Sequence, residues 1–233
     1  MNRPLLKTEK DGEGVFVLVP GLISEAIKHL FGLYYDGALP ANQIQSDQML
    51  AWKDEEVGNA RAKQFEQDMA ELVKKHSSLE FLTSITIPRL IQSSLERNFG
   101  DIDILTWSAQ TGVVYVIECK DFFERKTPGE MGELLSNFRG GYDKKDKPDL
   151  LRKHLDRVEL MRNHHVKVAG SLGLDKITKI EPILLFRKPV PMMYFDVYKS
   201  EGLVLDTVGF VDFLKSVEQE ITCLLYTSDA ADE

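Results

Sequence analysis

Cysteine is rare in this sequence, and long uninterrupted apolar runs are absent. The two cysteines, Cys119 and Cys223, are too few for a disulfide framework or a cysteine-based zinc site. The most apolar segment, residues 21–35, contains charged side chains, so it does not supply the roughly 18 apolar residues that a membrane span requires. The first residues also lack the apolar core of a signal peptide. We therefore expect a soluble, cytoplasmic protein without a membrane partner.

The composition is that of a folded chain rather than a disordered or fibrous one. Of the 233 residues, 43% are hydrophobic and 28% are charged, which provides enough apolar material for one sizeable core. The net charge of −8 excludes a strongly basic protein. The glycine patterns at 129–132 and 170–173 match neither a phosphate-binding loop nor a nucleophile elbow, so nothing favours an NTPase or an α/β-hydrolase.

Three segments of the chain differ in character. Residues 1–50 contain a β-branched run at 15–19 and a helical pattern at 23–34, and we interpret them as an accessory segment of unknown role. Residues 51–222 form the main predicted domain. Residues 223–233 resemble the translation of an adapter used to prepare sequencing libraries, so we expect an artefact there and a missing native C-terminus. A genuine acidic tail is the alternative.

Periodicity predicts helices and strands in the main domain. Residues 55–76 are predicted to form a helix whose apolar stripe includes Phe65, Met69 and Val73, and Glu66 lies at the buried edge of that stripe. Burying this carboxylate is costly unless it is paired or binds a cation. A further helical stretch precedes the last of four predicted strands, which cover 81–87, 102–107, 113–119 and 180–186.

The second and third of these strands form a hairpin in which two carboxylates face each other. A four-residue loop at 109–112 sets a register that places Asp103 opposite Glu118. The Cβ atoms of directly opposed residues lie roughly 4.5–5.5 Å apart. Carboxylates this close at the end of a buried strand repel, so one is protonated unless a divalent cation lies between them. Lys120 shares a strand face with Glu118.

This arrangement resembles the PD-(D/E)XK nuclease superfamily, whose fold is restriction-endonuclease-like. The similarity rests on Asp103, fourteen intervening residues and then Glu118-x-Lys120, preceded by a helix that carries Glu66. The resemblance implies an α/β fold with an αβββαβ core, in which a central mixed sheet is flanked by helices. The proline of the family motif is replaced here by Ile102.

The resemblance also implies an activity, namely metal-dependent hydrolysis of DNA phosphodiester bonds in restriction, defence or repair. Mg²⁺, with Mn²⁺ as a substitute, would lower the pKa of the attacking water and neutralise developing charge. Lys120 would position the water or stabilise the charged transition state. The implied catalytic residues are Asp103, Glu118, Lys120 and Glu66. The implied metal ligands are Asp103, Glu118, Glu66 and the carbonyl of Cys119, with Asp101 as an alternative.

Simpler explanations exist for the same residues. Glu118 and Lys120 also fit an exposed ion-pair ladder on a strand, and Glu66 also fits an ordinary surface carboxylate. The buried character of the strand favours the site over the ladder. His154 and the pair His164-His165 are expected to face solvent on a polar helix end rather than to bind a metal.

A local basic excess favours a nucleic-acid partner. Residues 120–167 contain twelve Lys and Arg against nine Asp and Glu, within an otherwise acidic chain. The predicted contacts to the DNA backbone are Arg125, Lys126, Lys144, Lys145 and Arg152. An ordinary solvated loop is the alternative for the segment 143–147.

The expected partners are DNA and, for assembly, a homodimer or a larger defence or repair complex. The alternative function is a catalytically silent nuclease-fold module that binds nucleic acid or assembles with a partner. Salt-sensitive DNA binding without metal-dependent turnover would distinguish this module from an enzyme.

Overall fold

The computed structural model of the chain describes residues 5–10, 13–35, 44–51, 57–122, 128–195 and 202–229. The chain divides into two compact units, residues 1–61 and residues 62–233. This division falls later than the boundary expected after residue 50, and the candidate site lies in the second unit. Within the described ranges, no helix is both long and apolar enough to cross a membrane.

The first unit contains a hairpin and two helices. Strand β1 (Leu5–Lys10) pairs antiparallel with β2 (Glu13–Leu18), and helix α1 (Pro20–Tyr35) follows. Pro20 suits the first helical turn because its φ is fixed near the helical value. Helix α2 (Asp47–Ala51) lies later in the same unit. The sequence predicts β2 and α1, but β1 is too polar to be recognised as a strand from its pattern.

The second unit alternates helices with strands. Its helices are α3 (Asn59–His76), α4 (Ile87–Ile91), α5 (Pro128–Ser136), α6 (Leu150–Asn163), α7 (His165–Leu172) and α8 (Thr207–Asp229). Its strands are β3 (Glu80–Thr86), β4 (Asp101–Trp107), β5 (Val113–Lys120), β6 (Lys179–Phe186) and β7 (Leu203–Asp206). A 3₁₀ turn at Pro191–Tyr194 lies between β6 and β7.

These strands form one mixed sheet in the order β3-β4-β5-β6-β7. Neighbouring strands from β3 to β5 are antiparallel, whereas β6 runs parallel to β5 and β7 runs parallel to β6. β5 is the central strand, and its residues 114–119 are buried. The expectation of an α/β fold with a central mixed sheet flanked by helices is confirmed.

Side chains alternate along β5 between two apolar layers. Val114 and Val116 pack in one cluster with residues of α4, α6 and α7. Tyr115 and Ile117 pack in the opposite cluster with residues of α3 and α8. A third cluster around Phe186 joins α5 and α6 to the end of β6. The central strand is therefore fixed from both sides, which gives a rigid support for side chains at its end.

A tight turn joins β4 to β5 and fixes their register. The N–H of Ser108 donates to the carbonyl of Val113 at 3.1 Å. The ladder over Ile104–Trp107 has the register expected from a four-residue loop. Gly112 closes the turn with φ of +67°, and a Cβ at this position would lie 2.6 Å from the carbonyl oxygen of Lys176. Glycine is therefore required here by both backbone conformation and space.

Some elements differ from the sequence prediction. The strand predicted over 81–87 ends at Thr86, because Ile87 begins α4, which has Pro88 in its first turn and Gln92 as a C-cap in the left-handed conformation. The first helix of the core has its α-helical part at Asn59–His76, and residues 55 and 56 of the predicted helix lie outside the described residues. β7 and α8 are absent from the sequence prediction, and for β7 the reason is that a four-residue strand carries too little periodicity to be recognised.

Candidate functional site

The predicted site lies where β4 begins and β5 ends. Regular pairing of the two strands runs as far as Ile104. At the next position the side chain of Asp103 takes part instead, since its Oδ2 accepts a hydrogen bond from the N–H of Cys119 at 2.7 Å. The contact fixes the Asp103 carboxylate against the end of the central strand, beside Glu118.

Glu118 is buried and lies between two cations. The Nζ of Lys120 is 2.6 Å from its Oε1, and the guanidinium of Arg157 contacts its Oε2. Burial alone would raise the pKa of Glu118, but the charges of Lys120 and Arg157 hold that pKa below its ordinary value. Glu118 is therefore an anion at neutral pH.

Lys120 is protonated at neutral pH. Burial would lower the pKa of its ammonium group, but the carboxylates of Glu118 and Asp103 raise that pKa above the ordinary value. Lys120 can therefore act as a hydrogen-bond donor and as a positive charge, and it does not act as a base at neutral pH.

Arg157 is a site residue that the sequence prediction misses. It comes from α6, is only 8% exposed, and donates from its Nε to the carbonyl of Phe99 at 2.8 Å. It borders the apolar stripe of α6, which includes Leu151, Val158 and Met161. A cation beside such a stripe must find a partner, because an unpaired buried charge is very costly. That position is the sequence signal that indicates a role for Arg157.

Further carboxylates lie around Glu118 and Lys120. Half-buried Glu66 comes from α3, and burial, followed by the charge of Asp101, raises its pKa. Burial, followed by the charge of Glu118, raises the pKa of Asp103 to about 7. The repulsion that the sequence predicts between the opposed carboxylates is therefore present, and Asp103 titrates near neutral pH.

The carboxylates of Asp103, Glu118 and Glu66 are of the type and charge that a hard divalent cation prefers, but they are not arranged as a complete set of metal ligands. Mg²⁺ prefers carboxylate oxygens, and burial, followed by the charge of Glu118, is what raises the pKa of Asp103. In the part of the chain that the structure describes, no three His, Cys, Asp or Glu side chains are grouped closely enough to hold a metal ion. Both oxygens of Glu118 face Lys120 and Arg157 instead. A metal ion at Glu118 would therefore have to compete with these two cations.

His154 is buried, so the expectation that it faces solvent is wrong. It is 1% exposed on the inner side of α6, and among the described residues neither ring nitrogen has a hydrogen-bond partner. Burial lowers the pKa of its imidazole to about 4, although Glu118 acts in the opposite direction. His154 is therefore neutral at physiological pH. His165, by contrast, is exposed as expected.

We expect the protein to lose stability as the pH falls from about 6.5 to about 4, with His154 responsible for up to about 3 kcal/mol. The unfolded chain protonates this histidine near 6.5, whereas the folded chain does so only near 4, so the unfolded state binds more protons between these values. His154→Met should flatten the dependence of the unfolding free energy on pH, measured by urea denaturation. His165→Met is the exposed control, and equal slopes in the two variants would contradict the assignment.

The lysines predicted to contact DNA lie in an ordered turn. Lys144 and Lys145 are exposed, and the carboxylate of Asp143 accepts from the N–H of Lys145 at 2.8 Å. Their geometry fits the solvated loop as well as a backbone contact, so their role stays a prediction. Arg125 and Lys126 lie outside the described residues.

Arg152 is bound within its own helix. Its Nε lies 2.6 Å from Asp156, and a second guanidinium nitrogen lies 3.1 Å from Glu159. Much of its charge is therefore balanced inside α6, and a phosphate contact would have to compete with these carboxylates. Its assignment to DNA binding stays a prediction.

Two cavities border the site, one beside Arg157 and the other beside Lys120. The first has a volume of about 210 Å³ and is lined by the basic residues Arg97, Lys153 and Arg157 among others. The second has a volume of about 310 Å³ and is lined by Lys120 and by residues around α5 and the end of β6. Since Arg157 and Lys120 both contact Glu118, the carboxylate lies between the two cavities.

Comparison with known proteins identifies a family. A family model described as "Anti-phage protein Upx-like" matches residues 1–214. No curated protein and no solved structure matches the chain. The matched span covers the first unit, the whole mixed sheet and every residue of the candidate site. The chain therefore belongs to the Upx-like family of anti-phage proteins.

Proposed function

We propose that this protein is a Mg²⁺-dependent nuclease that hydrolyses DNA phosphodiester bonds in defence against phage, with Mn²⁺ as a possible substitute. The observation that carries the proposal is the meeting of Asp103, Glu118 and Lys120 at the end of the buried central strand, with the pKa of Asp103 raised to about 7. Membership of an anti-phage family supports the defence role. An acidic site that retains a protonated lysine suits phosphoryl chemistry assisted by a metal ion.

The order of the elements supports a restriction-endonuclease-like core. Helix α3 is followed by the antiparallel strands β3, β4 and β5, then by α6, and then by β6 parallel to β5. With α4, α5 and α7 as additional helices, this order is compatible with the αβββαβ arrangement that the resemblance implies. It also places the start of β4, which carries Asp103, and the end of β5, which carries Glu118, at the same end of the sheet.

Asp103, Glu118 and Lys120 would divide the chemistry among them. A bound Mg²⁺ supplies a Lewis acid and lowers the pKa of a coordinated water. Asp103 and Glu118 would hold the ion, with the carbonyl of Cys119 as a further oxygen donor. Lys120 would donate to a phosphate oxygen, because its ammonium group is protonated and lies on the same strand face as Glu118.

Glu66 and Arg157 would assist from the two sides of the sheet. Glu66 adds a carboxylate from α3, and burial, followed by the charge of Asp101, raises its pKa. Arg157 is anchored on the carbonyl of Phe99, so it keeps its position when Glu118 turns toward a metal ion. Its guanidinium would then be available to a phosphate oxygen of the substrate. The cavity beside it would accommodate the DNA backbone, because Arg97 and Lys153 also line it.

Cleavage of supercoiled and linear DNA, single- and double-stranded, in Mg²⁺, Mn²⁺ or EDTA tests the proposal. We expect cutting only with metal, and a loss of at least about a hundredfold in Lys120→Ala, because the variant lacks the cation at the reacting phosphate. Lys179→Ala is the matched control, since Lys179 lies on the neighbouring parallel strand and its side chain is 67% exposed. Equal cutting by the wild type and Lys120→Ala would contradict the assigned site.

A catalytically silent nucleic-acid-binding module is the second candidate. It is favoured by one observation, the engagement of both Glu118 oxygens by cations, which would lock the carboxylate away from a metal. Such a module would bind DNA with strong salt dependence and show neither metal-dependent heat of binding nor turnover. The same cleavage experiment, combined with calorimetric titration of Mg²⁺, separates the two functions.

A further inference from the structure

We propose that the cavity beside Lys120 binds the base of an unpaired nucleotide adjacent to the scissile phosphate, so that the protein selects single-stranded or locally unpaired nucleic acid. This inference rests on the proposed function, because it takes Lys120 to lie at the scissile phosphate. It adds a substrate class that neither the candidate site nor the family match supplies.

The walls of this cavity are largely apolar and rigid. Phe122, Leu134 and Phe186 line it from the end of β5, from α5 and from the end of β6. The ring of Phe122 packs 6.0 Å from that of Phe186 and 5.8 Å from that of Phe138, which fixes its orientation. The volume of about 310 Å³ is at the lower end of the range for ligand pockets. A flat aromatic group of modest size suits such walls.

Three basic residues line the same cavity. Lys120 connects it to the candidate site, and Arg187 and Lys188 follow directly after β6. Arg187 is held in place, because its Nε lies 2.9 Å from the Asp121 carboxylate and its guanidinium lies 4.6 Å from the centre of the Phe65 ring. Lys188 is exposed and adds positive charge.

The combination of apolar walls and basic residues favours a nucleotide as the occupant. The base would contact the apolar walls, while the phosphate groups on either side of its sugar would lie near Lys120 and Lys188. An apolar peptide segment would use the walls but would gain nothing from the positive charge of Lys120, Arg187 and Lys188. A nucleotide is favoured over a peptide because Lys120 lines both the cavity and the candidate site. A nucleotide bound in the cavity would be covalently linked to the phosphate at that site.

A base in this cavity must be outside a duplex stack. In double-stranded DNA each base is covered on both faces and paired, and extruding it costs a few kcal/mol. In a single strand, or at a frayed or mismatched position, most of this cost is absent. The cavity therefore gives the protein a physical reason to prefer unpaired nucleic acid.

Binding of single-stranded oligonucleotides in EDTA tests this inference without any cleavage. The probe is a fluorescein-labelled thymidine oligomer of about 12 nucleotides, compared with an abasic oligomer of the same length and charge. We expect the wild type to bind the base-containing oligomer about tenfold more tightly, as one stacked base provides enough free energy for that ratio. Fluorescence anisotropy gives both dissociation constants.

Met131→Trp should remove this preference by filling the cavity. Met131 lines the cavity from α5 and is 41% exposed, so the larger ring can be placed without disrupting the core. The affinity of the Met131→Trp protein for the base-containing oligomer should fall to its affinity for the abasic oligomer. Its affinity for the abasic oligomer should equal that of the wild type. Val166→Trp, on the exposed face of α7, is the control and should keep the full ratio. Lys188→Ala should weaken binding of both oligomers and preserve their ratio.

The outcomes separate this inference from the proposed function. Equal wild-type affinity for the two oligomers, an unchanged ratio in Met131→Trp, or no binding of either oligomer would overturn the base cavity, even if Mg²⁺-dependent cleavage is observed. A base preference that Met131→Trp removes, in a protein that cuts no DNA with Mg²⁺ or Mn²⁺, would support the cavity and overturn the nuclease.

Discussion

Glu118→Gln is expected to lower the metal-dependent cleavage rate at least about a thousandfold and to destabilise the fold at the same time. Cleavage falls because the neutral amide is a poor ligand for a hard cation. Stability falls because Lys120 and Arg157 share Glu118 as their anion, and Arg157 is only 8% exposed. Weakening the partner of a buried cation costs about 1–3 kcal/mol. Initial cleavage rates and thermal unfolding measure the two effects.

The glutamine variant is a cleaner test than alanine at the same position. Glu118→Ala removes the whole carboxylate and leaves the buried Arg157 charge without its partner, which costs about 3–5 kcal/mol. Glu159→Gln is the control, since this carboxylate also binds an arginine but its side chain is 66% exposed. Wild-type activity in a folded Glu118→Gln protein would remove Glu118 from the site.

Asp103→Asn is expected to abolish cleavage while making the metal-free protein more stable above pH 7. The folded state raises the pKa of Asp103 from 3.8 to about 7, so between these values the folded protein binds more protons than the unfolded chain. The unfolding free energy of the wild type therefore falls as the pH rises through this window. Asparagine does not titrate, and its amide oxygen can still accept from the Cys119 N–H.

The unfolding free energy of Asp103→Asn should exceed that of the wild type by an amount that grows from near zero at pH 4 to about 1–3 kcal/mol at pH 8. Urea denaturation at several pH values measures this difference. Added Mg²⁺ or Mn²⁺ should stabilise the wild type at pH 8 and leave the variant unchanged, because only a site that binds the metal gains from its concentration. Asp175→Asn, an exposed aspartate, is the control. A variant that is less stable than the wild type at pH 8, or one that still responds to metal, would contradict the role given to Asp103.

The hairpin that carries the carboxylates is predictable from sequence because its determinants are local. The apolar runs fix the strands, and the four-residue loop fixes the register, so Asp103 and Glu118 are brought together by residues close in the chain. The protonated state of Lys120 also follows, since its neighbours on the strand are known once the register is known. The α/β class and the mixed sheet follow from the order of these elements.

Arg157 and His154 are not found because their burial depends on contacts with distant elements. Both lie on α6, whose charged residues suggest a polar helix, and only the docking of that helix against the sheet shows that one contacts Glu118 and the other is enclosed. The cavity beside Lys120 is beyond sequence reasoning for a similar reason, since it forms between segments that pattern alone does not bring together. Local patterns predict the carboxylates and Lys120, and tertiary packing supplies Arg157.

The separation of Glu118 and Arg157 along the chain has a consequence for biosynthesis. The acidic residues lie on α3, β4 and β5, whereas Arg157 follows Glu118 by 39 residues. During translation Glu118 and Lys120 therefore leave the ribosome before the helix that carries Arg157. Enclosure of Glu118 between its two cations cannot be completed until α6 has been made, so the site is one of the last parts of the sheet edge to reach its final charge balance.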